Sequence, residues 1–269
     1  MTKRGKILTY ILLSVVSVFS AFPLVWMAIS ATNASIDVIK GTLLPGTYLI
    51  ENFKELTRQI NLGQGMYNSF RNSLLLTTLS VLINSVAGYA FEVYHDRVKD
   101  FVMMVLLLAM MVPFVAVMIP LFTMFSKMKM LNSLGALLIP SLAYPMLILM
   151  FRQAARSFPM EIIEAARVDG LSEVGIFIRM FFPTMRSTFG AAFTISFMGS
   201  WNSYLWPLVI FQKNETKTMP LLISTLQGQF STDYGVLMLG VFLCTLPTAL
   251  VFLFLQKSFA EGITGAAKG

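Results

Sequence analysis

Six long apolar runs, each free of Asp, Glu, Lys, Arg and His, alternate with polar segments along the chain. They cover 7–30, 73–91, 101–125, 134–151, 188–211 and 236–256. At 1.5 Å rise per residue, about 20 apolar residues cross the roughly 30 Å hydrocarbon layer of a bilayer. The pattern therefore predicts an all-α membrane protein with six transmembrane helices. Residues 236–255 alone hold thirteen Leu, Ile, Phe and Val. On the insertion scale these favour the membrane by roughly −4 to −8 kcal/mol. The run at 134–151 is the shortest and is interrupted by Pro140 and Pro145. The first run is too long for a signal-peptide core and lacks a small-x-small site near its end, so it reads as a retained helix. Residues 32–71 are polar and punctuated by Pro45 and several glycines, which predicts an external loop with a short helix near Asn52–Gln59.

Between the fourth and fifth runs lies SFPMEIIEAARVDGLSEVGIFIRMFFP, residues 157–183. It is the one long charged amphipathic segment flanked by two apolar blocks. Pro159 fits a first helical turn, and Glu161 stands where the helix dipole favours a negative charge. Gly170 ends this helix, Ser172 caps a second, and Pro183 leads into apolar sequence. Ile162, Ala165, Ala166 and Val168 offer a small apolar surface to a partner groove, with Glu164 and Asp169 as acceptors beside it. An interfacial helix lying on the inner leaflet is the alternative, and its two acids argue against anionic lipid.

Composition agrees with the runs. Hydrophobic residues make up 56% and charged residues 12% of the chain, against about 25% charged in soluble domains. Net charge is +7, but the basic residues are spread over the connecting segments, which suits an anionic membrane surface rather than nucleic acid. If the N-terminus is inside, twelve of the 20 Lys and Arg residues fall on the cytoplasmic side, together with segment 157–183 and the C-terminus. One His and one Cys exclude a His/Cys metal cluster, and no G-x-x-x-x-G-K-[ST] loop is present to cradle ATP phosphates. No apolar run carries an ionisable group of the kind that ion-coupled transporters use. The driving force must come from a separate protein.

Two stripes mark helix faces that either pack against neighbours or line a solute route. Thr77, Ser80, Asn84 and Gly88 recur at three- and four-residue steps, as do Ser196, Ser200 and Ser203, with Trp201, Asn202, Tyr204 and Trp206 nearby. The candidate pathway residues are Asn84, Ser200, Trp201, Asn202 and Tyr204, the aromatic members offering ring faces on which a sugar can stack.

The order Glu164-Ala165-Ala166, three residues, Gly170, nine residues, Met180-x-Phe182-Pro183 resembles the EAA loop of ABC importer permeases. There the pattern is EAA, x3, G, x9, I, x, L, P, so Met180 and Phe182 stand where Ile and Leu are usual. With the N-terminal KRGK, the Trp201-Asn202…Trp206-Pro207 cluster and the Gly262-Ile263-Thr264-Gly265 tail, the chain resembles carbohydrate-uptake, binding-protein-dependent permeases of the MalG type. The resemblance implies a type I permease fold forming a single transmembrane domain over 1–269, in a bacterial cell membrane with both termini cytoplasmic. It implies that Glu164, Ala165, Ala166, Asp169 and Gly170 couple to an ATPase, with a tail at 257–269 whose Thr264, Gly265, Lys268 and Gly269 reach the ATPase interface. The implied partners are a second homologous permease, two ABC ATPase subunits and an extracellular solute-binding protein whose docking loop would be 212–235. ATP and Mg would sit on the partner subunits, so this chain would be neither an enzyme nor a cofactor protein. The implied solute is a carbohydrate; a polyol, a glycerophosphodiester or an amino acid is the alternative within importers, and a secondary transporter the alternative outside them.

Overall fold

The computed structural model describes residues 3–227 and 232–266, and among these no strand occurs. Fifteen α-helices are found among the described residues: α1 Lys3–Ser30, α2 Ser35–Ile39, α3 Leu49–Gln59, α4 Leu62–Val93, α5 Arg97–Ala109, α6 Phe114–Lys127, α7 Leu134–Leu138, α8 Pro145–Arg156, α9 Met160–Val168, α10 Glu173–Ile176, α11 Phe182–Thr184, α12 Arg186–Trp201, α13 Leu205–Ile210, α14 Met219–Thr225 and α15 Tyr234–Ala266. Two units cluster separately: Met1–Gln64 with Met219–Pro247, and Gly65–Thr218 with Thr248–Gly269.

Among the described residues α1, α4 and α15 are long and apolar enough to cross a membrane, and two bent pairs raise the number to five if each is one span, against the six expected. The expected span at 101–125 is one such pair, α5 and α6, which meet at 98°. Met110–Pro113 carries no helix, because Pro113 has no N–H to continue the ladder. The run at 134–151 is bent by 48° between its two prolines. The expected span at 188–211 is broken as well. Residues 202–204 separate α12 from α13, and neither piece alone reaches the roughly 20 residues a span needs. Helical structure also begins earlier than expected: α4 starts at Leu62, eleven residues ahead of its apolar run, and α14 interrupts the expected loop at 212–235.

Helix α4 is built the opposite way from a helix in water. Its buried face carries Asn68, Asn72, Ser73, Thr77, Ser80 and Asn84, while Leu74, Leu79, Leu82, Ile83 and Val86 point outward. Lipid rewards that arrangement, since leucine gains nothing by leaving hydrocarbon and small or polar side chains let helices approach closely. Gly88 shows how close. A Cβ there would lie 2.6 Å from both the Ile148 carbonyl oxygen and Phe151 Cβ, so α4 touches the backbone of α8. Helices α12 and α15 meet the same way, with a Cβ on Gly262 coming within 2.7 Å of the Ser187 carbonyl oxygen.

The core of the larger unit gathers Tyr89 of α4, Phe151 of α8, Phe158 just before α9, Ile163 and Ala166 of α9, Ile176 of α10, Phe181, and Phe189 of α12. Phe181 is the hub: its ring lies 4.8 Å from Tyr89 and 5.7 Å from Phe158. It stands in a π-helical turn, Phe177–Phe181, inserted between α10 and α11. A wider turn of this kind leaves room ahead of Pro183, whose ring would clash with the carbonyl four residues back in a regular α-helix. In the smaller unit Asn52, buried on α3, donates to the Ala31 and Asn33 carbonyls at 3.0 Å each and so fixes the chain leaving α1.

Replacing Gly88 by alanine is expected to destabilise the larger unit by about 1–3 kcal/mol through overpacking. Gly199→Ala, where a Cβ meets nothing within 4 Å, is the matched control. Thermal unfolding in detergent should separate them, with only the Gly88 variant losing melting temperature.

Candidate functional site

Helix α9 is short, amphipathic and closed at both ends. It begins at Met160, so Pro159 precedes the helix and does not occupy its first turn as expected. At the C-terminus the Leu171 N–H donates to the Ala166 carbonyl and the Gly170 N–H to that of Arg167, both at 3.0 Å. This pair of bonds is a Schellman motif, and Gly170 sits at its left-handed position with φ +80°. A side chain there would meet open space, so backbone conformation alone selects glycine. Ser172 then caps α10 by accepting from the Gly175 N–H at 3.2 Å.

The two faces of α9 have different fates. Ile163 and Ala166 are buried in the aromatic core, whereas Ile162, Glu164, Ala165, Val168, Asp169 and Gly170 are exposed. Ala166 is therefore a packing residue and not the surface residue its spacing implied. Val168 is 88% exposed.

Polar groups surround this helix on one side. Arg167 donates through Nε to Glu173 Oε1 at 2.7 Å and through Nη2 to Oε2 at 3.3 Å, and its guanidinium lies 5.9 Å from the Tyr94 ring centroid. Farther along, Arg152 donates to Glu92 at 3.1 Å and to Asp100 at 2.5 Å, and His95 Nε2 stands 2.9 Å from Asp100. The Arg167 hydrogen bond, then one from Tyr94, holds the Glu173 carboxyl below its usual range.

A cavity of about 400 Å³ lies elsewhere in the same unit. Ser80, Ser141, Tyr144, Ser196, Ser200 and Ser203 supply its hydroxyls, and Phe114 and Trp206 supply its aromatic walls. A neighbouring pocket shares Ser141, Ser203 and Trp206 and adds Asn202 and Tyr204. None of the described lining residues carries a formal charge at neutral pH. Ser200 lines the first of these, and Asn202 and Tyr204 line the second.

The other two candidate pathway residues do not. Trp201 is 1% exposed, edge-on to Phe70 at 4.8 Å and stacked on Phe197, so it is core. Asn84 is fully buried, and its amide is spent on backbone and on the Ser80 hydroxyl, 2.8 Å from Nδ2. Nδ2 donates to the Ser80 carbonyl at 2.6 Å and the Leu142 carbonyl at 2.9 Å, and Oδ1 accepts from the Tyr144 N–H at 2.9 Å. It repairs the chain where Pro140 and Pro145 break the helix. Ser141, Tyr144 and Phe114 were missed. Their signal was proximity to a proline inside an apolar run, the place where a helix opens. Trp206 donates Nε1–H to the Ala136 carbonyl at 2.9 Å, which sets its ring against the cavity. Thr264 and Gly265 lie in the last turns of α15, and Lys268 and Gly269 lie outside the described residues. Among the described residues no group of three or more His, Cys, Asp and Glu is placed to hold a metal ion.

Residues 80–265, which contain α9 and every cavity-lining residue but Leu76, match the family model described as "Binding-protein-dependent transport system inner membrane component". The chain belongs to this family. It is 42% identical over 262 residues to the lactose transport system permease protein LacG of Rhizobium radiobacter, covering 97% of this chain and 96% of that one. It is 31% identical over 276 residues to the arabinooligosaccharides transport system permease protein AraQ of Halalkalibacterium halodurans, covering 99% of each. A chain in the crystal structure of a bacterial ABC transporter involved in import of the acidic polysaccharide alginate superposes with TM-score 0.83, at 16% identity over 96% of this chain and 99% of that one. The fold is that of an ABC transporter permease, an all-helical membrane component.

Two outcomes follow from the geometry. Asn84→Ala strands the Leu142 carbonyl and the Tyr144 N–H, each worth about 1–3 kcal/mol when buried unpaired, and should lower the melting temperature more than Ser200→Ala does. Because the folded pKa of Glu173 is lowered, its contribution to stability is present above about pH 4.3 and fades as pH falls through the folded value. The melting-temperature gap between wild type and Glu173→Gln should be small, the pair being largely open to water, and should close on acidification.

Proposed function

We propose that this chain is one membrane subunit of an ATP-driven importer that passes a carbohydrate, delivered by an extracellular binding protein, into the cytoplasm. A second homologous permease completes the pathway, two ATPase subunits bind ATP and Mg, and both termini of this chain face the cytoplasm. Helix α9 docks on an ATPase subunit through Glu164, Ala165, Asp169 and Gly170, and Val168 extends the apolar part of that contact. The observation that carries the coupling role is the division of α9: one face is locked into the aromatic core while the other stands exposed, acidic and apolar together. A helix held in this way moves with the bundle when a partner moves it. The tail residues Thr264, Gly265, Lys268 and Gly269 add to the ATPase contact.

The relatives' names, lactose and arabinooligosaccharides, favour a sugar, and so does the cavity. An uncharged lining rich in hydroxyls beside Tyr144, Phe114 and Trp206 offers hydrogen bonds and ring faces to a neutral polyhydroxylated solute. It offers no cation for a phosphate or a carboxylate. Ser200, Asn202 and Tyr204 meet the solute; Asn84 and Trp201 support the wall behind it. Transport then needs no bond chemistry from this chain. Closure of the ATPase pair on ATP displaces α9, and the helices around the cavity change which side they open to.

Glu164→Lys and Gly170→Asp should each reduce recovery of ATPase subunits with the affinity-purified chain by about tenfold, or about 1.4 kcal/mol. Membrane insertion should be unchanged. Gly170→Asn, which tolerates the left-handed backbone, should retain more ATPase than Gly170→Asp. Uptake of radiolabelled lactose and arabinooligosaccharide, with the binding protein supplied, tests the solute class. Full ATPase recovery with both charged variants would remove the docking role.

A further inference from the structure

We propose that Tyr94, Arg167 and Glu173 form a rigid corner that fixes the angle of α9 against α4, so that displacement of the docked helix is passed directly to the cavity wall. The inference rests on α9 being the ATPase docking helix.

Between α9 and α10 the chain runs through a four-residue turn, 169–172, with Gly170 in the left-handed region. Left to itself, such a turn is a hinge. Arg167 stands in the last turn of α9, and Glu173 is the first residue of α10. Their two-pronged contact, at 2.7 and 3.3 Å, spans the turn and ties the elements on either side together. A planar guanidinium on a planar carboxylate fixes direction as well as distance. Tyr94 immediately follows α4. Its ring lies under the Arg167 guanidinium at 5.9 Å. The corner thus has three walls, α9, α10 and the end of α4.

The α4 end is itself anchored. Glu92, and Asp100 in the first turn of α5, both accept from Arg152 of α8. From Val93 to Ser80 on the cavity wall is thirteen residues of unbroken helix, about 20 Å at 1.5 Å per residue. An unbroken helix of that length carries a tilt imposed at one end to the other.

Exposure separates a positioning role from a merely stabilising one. The Arg167 and Glu173 side chains are 37% and 45% exposed, and ion pairs open to water contribute little to folding. The aromatic core, not this pair, holds α9 on the protein. What the pair adds is angle.

The test uses the complete transporter, with second permease and ATPase subunits, in liposomes. In a Cys244→Ser background, nitroxide labels on Glu161→Cys in α9 and Leu82→Cys in α4 report the distance between the helices by pulsed electron resonance. Wild type should give one narrow distribution that is the same without nucleotide and with ATP plus vanadate. Arg167→Gln and Glu173→Gln should keep their ATPase subunits and melting temperature, yet broaden the distribution about twofold and make it shift with nucleotide. Tyr94→Ala should lie between, and the exchanged pair Arg167→Glu with Glu173→Arg should narrow it again. A wild-type distance that itself shifts with nucleotide, or single variants as narrow as wild type, would overturn the corner. Retention of ATPase by Glu164→Lys and Gly170→Asp would instead overturn the docking reading, an outcome the label distances do not depend on.

Discussion

Hydrocarbon offers no water to a broken backbone, and that constraint shapes the larger unit. Every helix interruption at membrane depth must bring its own partners. At residues 139–145 the partner is Asn84, which takes on one carbonyl and one N–H of the break and also binds back to its own helix. The interruption places Ser141 and Tyr144 on the cavity. A continuous helix would have turned their polar atoms into the wall. The cavity therefore exists because one amide allows the helix beside it to open.

The same economy of polar groups explains α4. Its asparagines, serines and threonines are inside and its leucines outside, and the glycine at 88 lets α8 lie against bare backbone. The aromatic cluster around Phe181 then joins α4, α8, α9 and α12 into one body. Helix α9 is a structural part of that body as well as an appendage on its surface.

Much of this was legible in the residues. Apolar runs announced the helical membrane fold, and Gly170, Ser172 and the Glu161–Val168 stretch placed α9 to within a residue or two. The stripe Thr77, Ser80, Asn84, Gly88 was correctly seen as one face. What the stripe would touch was not legible, because packing and lining use the same small polar residues. Asn84 and Trp201 went to the wall and Ser200 to the cavity, a division set by neighbours far along the chain. Ala166 was misjudged for a related reason: alanine is small enough for either side of a helix, and only the position of Phe181 decides. The bend at Met110–Pro113 was hidden because uninterrupted hydrophobicity says nothing of direction, and the break at 202–204 because Asn202 and Ser203 suit a helix face as well as a turn. Proline inside an apolar run was the one clue to each opening, and its weight is clear only once the freed carbonyls are traced.

The π-helical turn at Phe177–Phe181 sets a phase. One residue of an α-helix corresponds to about 100° of rotation, so the single extra residue housed in that turn decides which way everything ahead of it points. Take that residue away and the helix would close against the Pro183 ring, with α10 and its Glu173 turned about a quarter-turn around the axis. Length here acts as an angular setting.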